Sequence, residues 1–244
     1  MQEIVPQEGQ EPQSALATLS AEQVADIQAY FMTQVLGWLT GALTLSGGLA
    51  MLVAASPELQ ALLFGTAWVF VGVVAILLMA GLVVARRAAA RNTITTITAF
   101  VACVLAGGLA LGVVFREYSA YSLGITFFIA SGVAGAMMLY GYFARIKMST
   151  WTGTLLVLLI TLALVAASNL VWPNLLAAGL SSFAGVLLFV PLIAYDAHKL
   201  KGKAFLGLGN EDTDRKVAVR SAFGLYFNLL CLFLSLLSFT GVHI

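Results

Sequence analysis

The chain has 244 residues, of which 61% are hydrophobic and only 9% charged, against roughly 45–50% and about 25% in ordinary soluble domains. So few charges cannot cover a body of this size with water-facing groups, which excludes a soluble fold and makes lipid the natural solvent for most of the surface. The net charge of +1, dispersed over short loops, leaves no field for nucleic acid.

In chain order, residues 1–20 are rich in Gln, Glu, Pro and Ser and lack the basic start and early apolar core of a signal peptide, so a disordered acidic tail is expected. Ser20, followed by Glu22 and Gln23, has the pattern of a helix N-cap, and a helix should begin near Ala21 and run into the first span. Seven apolar runs follow, at about residues 30–54, 61–85, 93–115, 119–143, 152–171, 175–195 and 221–241. Each is long enough to cross a bilayer, which takes about 20 apolar residues. The breaks carry Ser56-Pro57-Glu58, Arg86-Arg87, Arg116-Glu117, Arg145-Ile146-Lys147 and Trp172-Pro173-Asn174, the turn and charge signals of membrane interfaces. Only Arg116-Glu117 divides the third and fourth runs, which predicts two antiparallel helices with a tight turn. The predicted architecture is all-α: a polytopic membrane protein whose residues 21–244 form one seven-helix transmembrane domain.

If seven helices alternate in direction, the side holding the N-terminus collects every one of the 12 Lys and Arg residues except Arg116. The positive-inside rule then places the N-terminus and the long loop between the sixth and seventh spans in the cytoplasm, and the C-terminus outside. Gly37/Gly41, Gly108/Gly112 and Ser131/Gly135 repeat at the spacing that lets helix backbones approach closely in lipid, where packing replaces the hydrophobic effect. Cys103 and Cys231 both lie inside apolar stretches and read as small buried side chains.

Ionisable residues inside spans are costly and therefore mark function. Asp196, in Tyr195-Asp196-Ala197-His198-Lys199-Leu200, is the acid embedded at the end of the sixth run. Pro191 is expected to kink that helix a turn earlier and to leave a carbonyl oxygen free beside the carboxylate. Arg86 and Arg87 end the second run on the same side of the membrane, and Asn228 is the most polar side chain of the seventh. An Asp, an Asn and an Arg converging at one depth would form a polar plug in an apolar bundle. His198 and His243 fall on opposite sides, which excludes a shared metal site, and His198 reads as an interface residue.

Taken together, Arg86-Arg87, Met138-Leu139-Tyr140-Gly141-Tyr142, the Tyr195-Asp196 stretch and Leu225-Tyr226-Phe227-Asn228 resemble the Bax inhibitor-1 family of transmembrane proteins, over nearly the whole chain from Tyr30 onward. The resemblance implies six helices around a central seventh and a pH-sensitive leak for calcium ions, with Asp196 able to hold calcium transiently and no other cofactor. It also implies that the sixth-helix acid, Asp196, pairs with an acid in the seventh and that an arginine of the second, Arg86 or Arg87, helps hold the path closed. Asn228 stands where that second acid is expected. Two carboxylates share a proton because both cannot ionise cheaply together; Asp with Asn lacks that coupling, though an amide oxygen can still ligate Ca²⁺. The expectation is a leak with altered gating.

Other classes fit less well. The last span has no lysine for a retinal Schiff base, and no span has a histidine for a rhomboid-type protease. Gly207-Leu208-Gly209-Asn210 matches an intramembrane aspartyl protease except that Asn210 cannot share a proton, and the acids Glu211, Asp212 and Asp214 beside it read as a solvated loop. No enzymatic activity is expected. The competing expectation is a non-transporting regulator whose acidic tail is gripped by a membrane-bound ATP-dependent protease, as the resemblance implies for some bacterial relatives. A bacterial inner membrane is the expected location.

Overall fold

A computed structural model describes residues 20–64, 93–144, 175–206 and 211–240, with Leu158 and Thr161. The described elements are helices: α1 (Ala21–Ala55), α2 (Pro57–Phe64), α3 (Thr93–Glu117), α4 (Ala120–Phe143), α5 (Leu175–Lys203) and α6 (Glu211–Thr240). All but the short α2 are long and apolar enough to cross a membrane. The predicted tail and most of the second and fifth apolar runs lie outside the described residues.

Local chemistry sets the helix ends. Ser20 caps α1 as the sequence predicts: its Oγ accepts from the Gln23 amide at 3.3 Å, and the Ser20 amide donates to Gln23 Oε1 at 2.9 Å, a reciprocal capping box. At the far end only Ser56 separates α1 from α2, with Pro57 at the first helical position, where its missing N–H costs nothing. Gln60 Nε2 reaches back to donate to the Val53 and Ala54 carbonyls at 3.1 and 2.7 Å, satisfying oxygens that the end of α1 leaves free. The predicted tight turn after Arg116-Glu117 is two residues, Tyr118 and Ser119, and Ser119 caps α4.

The sixth and seventh predicted spans needed correction. α5 runs eight residues past Tyr195, and α6 starts ten before Ser221, so the expected long loop is mostly helix. The acids Glu211, Asp212 and Asp214, read from sequence as a solvated loop, form the first turn of α6, while Lys201 and Lys203 end α5. Both placements oppose the helix dipole favourably. Charge at these positions therefore prolongs the helices rather than stopping them.

α6 packs against α1, α3, α4 and α5, and it buries residues around most of its circumference, from Ala218 and Val219 to Leu232 and Leu237. This is the central position expected of the last span. Facing residues fix the directions. Gly108 meets Ser46 and Gly112 meets Val53, so α1 and α3 are parallel, and Thr93 Oγ1 at the start of α3 lies 3.4 Å from the Asp212 carbonyl at the start of α6. α4 and α5 run the other way.

Packing is close where side chains are small. α1 buries Phe31, Val35, Leu39, Ala42, Ser46, Ala50 and Val53, a stripe near the 3.6-residue period. α4 meets the bundle through Ser122, Thr126, Ala130, Ala134 and Gly141. Of the three predicted small-residue pairs, Gly108/Gly112 lies in such a contact: a Cβ on Gly108 would stand 2.8 Å from the Ser46 carbonyl oxygen, and one on Gly112 2.6 Å from Val53. Gly37, Gly41 and Gly135 have nothing within 4 Å among the described residues. Trp38, Phe100 and Phe223 join α1, α3 and α6 edge to face, with centroids 6.2 and 6.3 Å apart, a favoured aromatic geometry. Outward surfaces carry large apolar groups such as Phe128 and Tyr121, 83% and 79% exposed, as lipid requires. Cys103 is buried and both cysteines are free.

One contact gives a clean test. A Cβ on Gly107 would stand 2.5 Å from the Tyr226 hydroxyl oxygen but 3.6 Å from Cζ, so only the hydroxyl forbids it. Gly107→Ala should lower stability by about 1–3 kcal/mol, the usual cost of overpacking, measured by thermal unfolding in detergent. Adding Tyr226→Phe should restore most of the loss; a double variant no better than Gly107→Ala refutes this account.

Candidate functional site

The carboxylate and amide that the bundle holds at depth lie in the seam between α5 and α6. These helices are antiparallel, and residues seven apart return to nearly the same face of a helix. Asp196 faces Asn228, whose Nδ2 donates to Asp196 Oδ2 at 2.6 Å. Seven residues on along α5, Lys203 Nζ donates to Ser221 Oγ at 3.2 Å, and Ser221 is seven residues back along α6. Between the two rungs lies Gly224, where an added Cβ would be 3.6 Å from Asp196 Oδ2. Asn228 is only 6% exposed, so its donated hydrogen bond removes what would otherwise be a buried unmet donor.

The end of α5 is held in register by α4. A Cβ on Gly141 would overlap the backbone carbonyl of Ala194, so only glycine lets the two helices approach there. His198 Nδ1 lies 3.3 Å from the Gly141 carbonyl oxygen and, carrying its hydrogen on Nδ1, donates to it. Lys199 and Lys201 lie over the rings of Tyr195 and Tyr142, each 4.6 Å from the centroid, where a cation is favoured. The Tyr140-Gly141-Tyr142 and Tyr195-Asp196 motifs are therefore one structural unit. His198, read from sequence as an interface residue, joins α5 to α4 through this contact.

Asp196 and Asn228 come together as expected. Arg86 and Arg87 lie outside the described residues. Lys203 and, less strongly, Lys199 are the described charges that act on the Asp196 carboxylate. Pro191 lies within an unbroken α5 and is exposed. The carbonyl it deprives of a donor belongs to Leu187, nine residues before Asp196 and so about 180° around the helix; that oxygen does not face the carboxylate, contrary to the sequence expectation.

Lys203, Ser221 and Gly224 were missed by sequence reasoning. The signal was the shared seven-residue separation of Asp196 from Lys203 and of Asn228 from Ser221, hidden because a lysine at the end of a span looks like an ordinary interface charge. Among the described residues no three His, Cys, Asp or Glu side chains converge. The seam offers one carboxylate, one amide and one hydroxyl, and Asn228 turns its nitrogen to Asp196, so its oxygen can meet a cation only after the amide rotates. An apolar cavity of about 60 Å³ opens among α1, α3, α4 and α6, lined among others by Ser46, Leu111, Phe127, Ser131 and Leu230; Leu230 lies about 200° around α6 from Asn228, and neither Asn228 nor Asp196 lines the cavity.

Fold and site together define an integral, polytopic α-helical membrane protein with a polar pair buried against its central helix. Residues 28–243 match the family described as Inhibitor of apoptosis-promoting Bax1. The chain is 32% identical over 219 residues to the inner membrane protein YbhL of Escherichia coli K12, covering 89% of this chain and 93% of YbhL. It is also 33% identical over 134 residues to the uncharacterized protein RP147 of Rickettsia prowazekii, covering 55% of this chain and 56% of that one. The chain belongs to the Bax inhibitor-1 family.

The hydrogen bond itself is testable. Asn228→Ala leaves the Asp196 carboxylate without its donor and should cost about 1–3 kcal/mol in detergent unfolding. Combining it with Asp196→Leu, which removes the acceptor as well, should be less damaging than Asn228→Ala alone; a strictly additive result would show that the two side chains are not coupled.

Proposed function

We propose that this protein is a calcium leak of a bacterial inner membrane, closed by the hydrogen bond between Asp196 and Asn228. The observation that carries the reading is that 2.6 Å bond, set in an apolar bundle between the last turns of α5 and the middle of α6. A carboxylate at membrane depth is costly and is kept where it meets an ion or a proton. The Lys203–Ser221 rung lies on one side of the pair along α5 and α6, and the apolar cavity lies farther along α6 in the other direction, from Leu229 onward. With the N-terminus cytoplasmic, as the distribution of basic residues favours, the cavity faces outward and Lys203 inward. YbhL, by name an inner membrane protein, supports the location.

In the closed state Asn228 donates to Asp196. A calcium ion reaching the pair competes for the carboxylate, and the Asn228 amide rotates to offer its oxygen. Calcium accepts carboxylate and amide oxygens at 2.3–2.6 Å and completes its six to eight ligands with water. Acid opposes this: protonation of Asp196 removes the charge that attracts the ion, so flux falls as pH falls through the titration of that one group. Asn228 cannot share its proton, so the response is that of a single carboxylate.

Calcium flux into dye-loaded proteoliposomes tests the reading. Asp196→Asn should reduce flux at neutral pH by about tenfold, the effect of roughly 1.4 kcal/mol, and should abolish its pH dependence. Asn228→Asp should strengthen the acid dependence, because two carboxylates then titrate as a pair. Deleting residues 2–20 should leave flux intact, whereas a regulator gripped through its tail by a membrane protease would lose its effect. No flux from the wild-type protein at any pH removes the leak reading.

A further inference from the structure

Asp196 lies in a seam that also holds an ammonium group. Lys203 Nζ is tethered to Ser221 Oγ at 3.2 Å, which uses one of its three hydrogens. Side chains on a helix lean toward its N-terminus, so Lys203 leans back along α5 toward Asp196. Each is the other's strongest charged neighbour among the described residues. They do not touch: the ion pair within 4.0 Å among the described residues is Arg215–Glu211, on the surface of α6. On the stripe of α6 that faces this interval, position 224 is glycine, and an added Cβ there would stand 3.6 Å from Asp196 Oδ2. Lys199 is exposed and occupied with the Tyr195 ring, and Arg220 is exposed. The charge within the seam is that of Lys203.

We propose that Lys203, held by Ser221, is a built-in counter-cation that excludes divalent cations from Asp196, so that displacement of its ammonium is a step in calcium entry. The proposal rests on the leak reading for its role in transport, but the competition itself is a binding property. A cation with two charges and a fixed ammonium cannot share one carboxylate in a medium where charges are weakly screened. Ser221 keeps the ammonium on the α6 side of the seam, near enough to neutralise Asp196 and free enough to leave. An arginine there would keep the charge; a glutamine would keep the length and one hydrogen bond but not the charge.

Equilibrium binding of radioactive calcium to the full chain in detergent micelles tests this apart from transport, with flux in proteoliposomes measured in parallel. Lys203→Gln should bind calcium about tenfold more tightly than wild type, from the loss of one nearby positive charge, and should leak faster. Lys203→Arg should stay within about twofold of wild type. Ser221→Ala, which frees the ammonium without removing it, should tighten binding by about threefold; it decides the matter if Lys203→Gln does not fold. Unchanged binding in both Lys203→Gln and Ser221→Ala overturns the proposal, as does tightening by Arg86→Gln or Arg87→Gln but not by Lys203→Gln. If wild type conducts no calcium while Lys203→Gln binds it more tightly, the leak reading fails and the counter-cation stands. If wild type conducts and Lys203→Gln binds and conducts like it, the reverse holds.

Discussion

Keeping one carboxylate inside an apolar helical bundle constrains most of this structure. Lipid offers no hydrogen bonds and little screening, so Asp196 needs a donor and a positive charge from the protein itself. Asn228 supplies the donor at 2.6 Å, and Lys203 the charge. Both depend on the register of α5 against α6, because a slip of one residue turns a helical side chain by about 100° and would break both rungs together. The contacts at the end of α5 resist that slip. Gly141 lets α4 press directly on the backbone at Ala194, and His198 ties the next turn to the Gly141 carbonyl at 3.3 Å.

The same logic explains where glycine matters. In lipid, helices gain little by hiding apolar surface from water, and dispersion contacts over short distances take its place. Gly107, Gly108, Gly112 and Gly141 each stand where a Cβ would collide with a neighbouring helix, so α3 sits close on α1, α4 sits close on α5, and the Tyr226 side chain of α6 reaches the α3 backbone. Gly107 differs from Gly141 in what it meets. The former faces a hydroxyl at the tip of a side chain, and the latter faces main chain, which no change of rotamer can move aside.

Much of this was legible in the sequence, for identifiable reasons. The scarcity of charge made the membrane assignment and singled out Asp196 and Asn228. Ser20 announced the start of α1 through its capping pattern, and Arg116-Glu117 announced the break before α4, whose cap, Ser119, is seen only in the structure. The ends of α5 and α6 were not legible, because Lys201, Lys203, Glu211 and Asp212 look like loop residues until the helix dipole is considered. Spacing alone also did not tell Gly108 and Gly112, which touch α1, from Gly37 and Gly41, which share the spacing but meet nothing within 4 Å among the described residues. The seam's second rung stayed hidden for a related reason: Ser221 and Lys203 are ordinary residues individually, and only their alignment with Asn228 and Asp196 gives them meaning.

That alignment bears on why an amide suffices at position 228. Two acids in such a seam satisfy each other by sharing a proton, which supplies a hydrogen bond and removes one negative charge in the same step. Asn228 supplies the hydrogen bond but leaves the charge of an ionised Asp196 untouched, so neutralisation has to come from elsewhere. Lys203 meets that requirement at a distance, from a position fixed by Ser221. The shared proton of a carboxylate pair is thus replaced by two separate groups, a donor and a fixed cation. Of these only the donor is bonded to the carboxylate, which leaves the cation free to move without breaking the pair.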